Sequence, residues 1–342
     1  MRWESTEGAH PLPSLRGMTN FGYTLMTEQS GPKELVGYAV DAERTGFDFA
    51  VSSDHYSPWL VSQGHASHAW TMLGAVAHAT ERMELMTYVT APTIRYHPAI
   101  VAQKAATLQL LADGRFTLGL GSGENLNEHT VGEGWPAVGV RQDMLEEAVH
   151  IIRALHDGGL VTWEGQYFRV DSSRVWDLPE GGVPIAIAVS GEKSVERFAP
   201  LADHLVAVEP DADLVSGWDA ARSGLPASRK IGQIPISWDP DRDRAVERAH
   251  EQFRWFAGGW DVNADLPTTK GFQAATQFVR PEDVASSIAC GPDLDALAES
   301  FAPYVEAGFT DIALVQVGDE AQQRFLDEAA GPLLEKLRAR FS

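Results

Sequence analysis

Three short segments of this 342-residue chain carry side chains able to move a proton. In the first, Ser52-Ser53-Asp54-His55-Tyr56-Ser57-Pro58-Trp59, an acid and a histidine precede a tryptophan by four residues. An apolar run, Phe47 to Val51, leads straight into it. His55 reads as a general base, Asp54 as an orienting or cofactor-contacting carboxylate, and Trp59 as an aromatic wall on a loop stiffened by Pro58. A satisfied histidine and a core tryptophan at a strand–loop junction would leave the same trace in sequence. The second segment holds Glu28 and follows the apolar run Thr19 to Leu25. The third, Gly121-Ser122-Gly123-Glu124-Asn125-Leu126-Asn127-Glu128, follows Phe116 to Leu120. Asp, His and Glu around one pocket are the ingredients of proton transfer.

Such residues meet only if the elements before them end at one rim. Apolar, β-rich runs predict eight strands: Thr19–Leu25, Phe47–Val51, Met83–Thr90, Phe116–Leu120, Pro184–Ser190, Leu205–Val208, Lys230–Trp238 and Thr310–Val317. Helical spacing falls between them. Leu35, Val36, Ala39 and Val40 share a face between Pro32 and Gly46, and Leu145, Ala148, Val149, Ile152 and Leu155 share another. Eight strand–helix alternations without a domain break predict a single (β/α)8 barrel, of TIM type, over residues 18–342. Insertions interrupt it near 160–182, a hairpin turning at Glu164-Gly165, and near 257–280, a lid over the mouth. Residues 1–17 form a polar N-terminal extension. In this fold Glu28, Asp54, His55, Thr90 to Thr93, Glu124, Asn127, Ser190 and Gly191 converge at the carboxyl ends of strands, where barrel enzymes keep their chemistry.

Other chemistries find less support. Gly119-Leu120-Gly121-Ser122-Gly123 imitates a dinucleotide fingerprint, but Glu124 stands where its last glycine belongs and no βαβ context fits. The glycines read instead as a tight turn or a close approach of backbone to a flat ring. His65/His68 and His150/His156 lack a third ligand nearby, so no metal site is expected. No G-x-S-x-G elbow marks a nucleophilic serine. Cys290, the single cysteine, permits no intrachain disulfide and suggests a reducing, cytoplasmic home. With 27 basic against 48 acidic side chains the formal charge is −21, which repels nucleic acid and anionic membranes. No leader or membrane span is apparent.

From about Asn20 to Leu337 the chain resembles the luciferase-like flavin/deazaflavin oxidoreductase superfamily. Within it the likeness is nearest to the F420-dependent glucose-6-phosphate dehydrogenase group. The carriers are SDHYSPW (53–59), PTIRYHPAIVAQ (92–103), GLGSGENLNE (119–128), EGQYFRV (164–170), GGVPIAIA (181–188) and QQRFLDE (322–328). The resemblance implies coenzyme F420, an 8-hydroxy-5-deazaflavin that exchanges hydrides, in the barrel mouth, with FMN as the alternative cofactor. His55 would take the substrate hydroxyl proton, Trp59 would flank the reacting centre, and Glu124 would act as an acid near the ring. Glu28 matches a further active-site carboxylate. Asp54 would contact the ring or steer His55, and Asn127 would contact the cofactor. Tyr88 and Val89, followed by Thr90 and Ala91, lie where the family has a non-prolyl cis peptide against the ring. Ser190, Gly191 and Lys193 would meet the cofactor tail. A homodimer is also implied.

The departures concern the substrate. Relatives in that group hold a sugar phosphate with two lysines and an arginine. Here the corresponding stretches read Val208-Glu209-Pro210-Asp211 and Ala285-Ser286-Ser287-Ile288, without a cation. Lys270 and Arg280 could compensate in part. A dianion beside two carboxylates is repelled, so an uncharged alcohol, sugar or larger hydroxylated compound is expected. Trp238, Trp255 and Trp260 would suit such a substrate if they line the lid. The expected activity is hydride exchange between a CH–OH group and F420. Its alternatives are a reductase using reduced F420, an FMN monooxygenase, and a non-catalytic barrel that stores the deazaflavin.

Overall fold

A computed structural model describes residues 19–341. The extension expected over residues 1–17 lies outside them. Eleven strands run in chain order: β1 (Asn20–Thr24), β2 (Phe49–Ser52), β3 (Glu84–Thr87), β4 (Phe116–Leu120), β5 (Val161–Glu164), β6 (Arg169–Ser173), β7 (Ile185–Ala188), β8 (His204–Val206), β9 (Lys230–Ser237), β10 (Ala289–Cys290) and β11 (Asp311–Gln316). The order β9-β11-β1-β2-β3-β4-β7-β8 returns to β9 through a β8–β9 pairing, so eight parallel strands close a barrel. Each of the eight expected strands has its counterpart in that ring. Sequence did not reveal β10, two residues added parallel to the end of β9. Helices flank it: Pro281–Ser287 before, and Leu294–Glu299 and Ala302–Glu306 after.

Side-chain alternation fills the barrel from within. Phe49 and Val51 of β2 point inward with Met86, Ala186, Val206, Ile231 and Ala313, while Ala50 faces the helices. The larger core lies between the ring and its helical jacket and includes Leu35, Ala39 and Ala42 of the helix Pro32–Thr45. Pro32 opens that helix at a position whose N–H would have no partner. Gly331 and Pro332 sit in the first turn of the last helix, Ala330–Phe341, and the helix before it, Asp319–Glu328, ends at Ala329.

Beneath the barrel, where strands begin, Arg229 reaches Glu84 at the start of β3 and Asp311 at the start of β11. Its Nε donates to Asp311 Oδ1 at 3.0 Å, and Asn20 donates to the same carboxylate at 2.9 Å. Asp311 has no solvent exposure. Strands β5 and β6 pair as an antiparallel hairpin. Residues 257–280 supply two short helices, Trp260–Asp265 and Thr269–Ala275, which cover the mouth together with a third apolar cluster. Among the described residues no helix is long and apolar enough to cross a membrane.

Candidate active site

The carboxyl ends of β1, β2 and β4 deliver one carboxylate, one imidazole and one further carboxylate to a common point. Glu28 lies in the loop after β1 with no solvent exposure. Its Oε1 meets His55 Nδ1, and its Oε2 accepts from Ser53 Oγ at 2.8 Å and Thr27 Oγ1 at 3.2 Å. On the other side of the ring, His55 Nε2 lies 3.2 Å from Glu124 Oε2. The imidazole therefore stands between two acids. Burial pulls its pKa down, but the charges of Glu28 and Glu124 and their bonds push it up to about 10. Burial also opposes ionisation of Glu28, and the charge and bond of His55 outweigh it, holding that carboxyl below its ordinary range. His55 rests as an imidazolium at neutral pH.

Aromatic rings close one side. The Trp59 ring is 5.2 Å from His55, edge-on, and stacks on Trp255 at 4.2 Å with an angle of 7°. Phe272 of the lid meets Trp59 edge-on at 5.0 Å. The lid is tied to both functional loops, since Thr269 Oγ1 donates to Pro58 O at 2.7 Å and Asn125 Nδ2 to Asp265 O at 2.9 Å. Trp255 Nε1 is buried without a partner. Trp238 does not line this space and packs in the core instead. The end of β9 turns it outward against Phe325 and Arg324. Trp260 on the lid is about half exposed.

Asp54 and Asn127 are placed otherwise than their types suggested. Asp54 makes no bond to His55 among the described residues, and Glu28 orients the imidazole instead. The Asp54 carboxylate is buried and fully engaged: Oδ2 accepts from Trp70 Nε1 at 3.0 Å and Thr90 Oγ1 at 2.7 Å, while Oδ1 accepts from Tyr96 and lies 3.3 Å from Arg95. Asn127 is buried as well. Its Oδ1 accepts from the backbone N–H of Tyr56 and Ser57 at 2.9 and 3.2 Å, and its Nδ2 donates to Glu124 Oε2 at 3.0 Å. Both brace the loops from inside; the Asp54 carboxylate is engaged throughout, whereas Asn127 Nδ2 uses one of its two N–H donors on Glu124 and keeps the second for a ligand. Arg95, Tyr96, Trp70 and Glu128 of this bracing were not singled out in sequence. An arginine in a rim loop between two acidic ones was the available signal.

The mouth also holds a surface for a flat ring. The Tyr88–Val89 peptide is cis, as the resemblance implied. Tyr88, Val89 and Ala188 are half-buried and sit on the inner barrel cluster, an apolar floor beside the His55–Glu124 pair. Thr90 and Ala91 behind them are buried. The glycine run serves this packing. A Cβ at Gly119 would fall 1.8 Å from Thr87 O, and Gly123, at φ +83°, makes the turn that sends Glu124 toward His55. Beyond β7, Ser190 and Lys193 are exposed and Gly191 faces open space. The N–H groups of Ser190 and Gly191 both donate to Ser194 Oγ at 3.2 Å.

Comparison with known proteins fits this geometry. The F420-dependent glucose-6-phosphate dehydrogenase of Nocardia farcinica is 36% identical, covering 94% of this chain and 99% of the relative. That of Nakamurella multipartita is 35% identical at 93% and 96% coverage. Among solved structures, an F420-dependent secondary alcohol dehydrogenase in complex with an F420–acetone adduct superposes with a TM-score of 0.86 at 28% identity, over 94% of this chain and 99% of that one. The coenzyme F420-dependent tetrahydromethanopterin reductase of Methanopyrus kandleri shares the fold at a TM-score of 0.75 and 19% identity. Residues 18–311 match the luciferase-like monooxygenase family, and the chain belongs to it.

Proposed function

We propose that the chain is an F420-dependent oxidoreductase acting on a CH–OH group of an uncharged alcohol or sugar-like substrate. The observation that carries the reading is the placement of His55 Nε2: Nδ1 is taken by buried Glu28, so Nε2 is the one ring nitrogen left to exchange a proton with substrate. Relatives named for F420 support the cofactor, and so does the apolar floor of Tyr88, Val89 and Ala188 beside it. These residues would hold the ring, with Thr90 and Ala91 behind them. Ser190, Gly191 and Lys193 would meet the tail. A bound deazaflavin supplies hydride acceptance at carbon. His55 takes or gives the hydroxyl proton at Nε2, Trp59 confines the substrate carbon, and Glu28 holds the ring in one orientation.

A substrate hydroxyl can reach Nε2 only by replacing Glu124 there. That exchange removes one of the two charges that raise the His55 pKa, bringing the imidazole closer to the neutral form a base requires. Glu124, so released, would be the acid beside a bound deazaflavin. Before the exchange His55 is held as the acid that protonates a carbonyl oxygen, and after it as the base that accepts a hydroxyl proton. Alcohol oxidation and carbonyl reduction use the same proton position.

The named activity of the glucose-6-phosphate relatives does not extend to this chain's substrate. At the end of β8 Glu209 is exposed and Asp211 caps the next helix, accepting from Asp213 N and Leu214 N. Arg280 is bound by Asp283 at 2.7 and 3.1 Å. A sugar phosphate would meet acids there and no free guanidinium. The chain works as a cytoplasmic homodimer on small molecules, in keeping with the family resemblance, the half-buried single Cys290 and the net acidity that disfavours nucleic acid and membrane surfaces.

Fluorescence titration of the purified protein with F420 and with FMN tests the reading first. Tight F420 binding with negligible FMN binding is expected, followed by deazaflavin reduction with neutral alcohols and none with glucose 6-phosphate. Preference for FMN with oxygen consumption would move the chain to the monooxygenases.

A further inference from the structure

Behind the His55 site a second charge cluster joins three rim loops. Arg95, in the loop after β3, donates through Nη2 to the main-chain oxygen of Asp54 and lies 3.3 Å from its Oδ1. Its backbone N–H donates to Glu128 Oε2 at 2.8 Å, and its Nε is 3.5 Å from Glu128 Oε1. Asp54 is the residue before His55. Glu128 closes the one-turn helix Asn125–Glu128, and its N–H donates at 3.1 Å to the carbonyl of Glu124. One arginine thus joins the segments that carry the imidazole and its carboxylate partner, its guanidinium bonded to Asp54 and its backbone N–H to Glu128, with the Nε charge beside the Glu128 carboxylate.

The grip on Glu128 also fixes the turn before Glu124. A Cβ at Gly123 would lie 3.0 Å from Glu128 Cγ and 3.1 Å from Ala91 Cβ, so the Glu128 side chain and the Arg95 loop wall the Gly123 turn. Arg95 is 7% exposed and Glu128 1%, which leaves neither free to relax into solvent.

We infer that Arg95, acting through Glu128, is a positioning residue that sets the Glu124 carboxylate on His55 Nε2. The planar fork is essential to it. A lysine ammonium keeps the charge but cannot hold the Asp54 carbonyl and the Glu128 carboxylate in one fixed plane. Loosening the clasp lets Glu124 drift from the imidazole, and a coulombic support of His55 weakens with distance. The groups facing His55 are Glu28 from β1 and Glu124 from β4; those facing Glu128 are Arg95 and Asp54.

The inference rests on the proposed reaction for its meaning, but its test does not. Histidine-labelled, cofactor-free protein is titrated by NMR, with His55→Asn identifying the His55 resonance. In wild type that ring stays protonated well past pH 8. In Arg95→Lys and in Glu128→Gln, which keeps the acceptor for the Arg95 N–H but loses the ionic hold, His55 titrates lower by about half a unit or more. The kcat of Arg95→Lys falls about tenfold or further, while F420 affinity changes less than about threefold. A role in stability alone would lower Tm and leave the His55 titration where it was; that result, in whichever variant folds, overturns the inference. Wild-type protein that reduces no deazaflavin would sink the proposed reaction and leave the NMR result standing.

Discussion

Both ends of the barrel place a cation between two carboxylates, yet only one end can do chemistry. Beneath the strands Arg229 lies between Glu84 and Asp311; at the mouth His55 lies between Glu28 and Glu124. In both, burial disfavours the charge and the flanking acids restore it with a surplus. The outcome differs because of where each cation titrates. Arginine stays charged at every pH a protein meets, so its surplus only tightens the floor of the barrel. Histidine starts near neutrality and is moved to about 10, within range of a step that removes one acid. The surroundings differ too. Asp311 is fully bonded by Arg229, Asn20 and Thr310, whereas Glu124 has a mouth beside it into which it can move.

The comparison breaks most sharply by exchanging activity for stability. His55→Asn should lower deazaflavin reduction by about 10² to 10⁴ while melting within a few degrees of wild type. Arg229→Met should do the reverse. It leaves Asp311 buried and unpaired, at about 3–5 kcal/mol of stability, with near wild-type turnover per folded molecule. Initial rates and denaturant melts on the two variants decide it, and a catalytic loss in Arg229→Met matched to that of His55→Asn would make the distinction false.

How far the sequence revealed this asymmetry depends on distance along the chain. The ring of strands was legible because each strand is a local pattern, and with it the rim positions of Glu28, His55 and Glu124. The assignment of partners was not. Asp54 adjoins His55 in sequence, but in the loop beyond β2 the two side chains part, Asp54 turning to Trp70, Thr90 and Arg95 while Glu28, 27 residues away, takes the imidazole. The place of Trp238 was no more legible: it follows a strand whose end faces the helices, and its ring packs on Phe325. The stacking of Trp255 on Trp59 joins segments that follow β9 and β2, far apart in the chain, and no local pattern encodes it.

A second substitution isolates the charge on one side of the imidazole. Glu28→Gln keeps the volume but withdraws the largest charge that raises His55, so the ring becomes easier to deprotonate. A loss of about 10- to 100-fold in kcat is expected, from weaker orientation, with the acid limb of the alcohol-oxidation profile, where His55 must lose its proton, displaced to lower pH. An unchanged profile would mean that Glu28 is only packing.

The pH dependence of stability sharpens the contrast further. The folded pKa of His55 is above its unfolded value near 6.5, so its contribution is complete below that value and is lost as pH rises through about 10. Glu28 is depressed, so its share is present above the ordinary carboxylate pKa and fades as pH falls through its folded value. Between pH 7 and 10.5 the cofactor-free protein should therefore lose several degrees of Tm on the order expected for a few kcal/mol. His55→Asn should flatten that slope. Arg229→Met should not, because the floor of the barrel does not titrate in this interval.

The smallest effect belongs to the lid, where the site's chemistry gives way to fit. Trp255 touches no proton-transfer group, and its stacking on Trp59 supplies shape and apolar area. Trp255→Leu removes that stack and an unpartnered N–H together, and an aromatic pair of this geometry contributes about 1 kcal/mol. If the lid only confines substrate, the variant should raise KM about fivefold and leave kcat within twofold, the signature of binding lost equally in ground and transition states. A fall in kcat as large as that of Glu28→Gln would mean instead that Trp255 holds Trp59 in register with His55, and that the boundary between fit and chemistry runs through the lid.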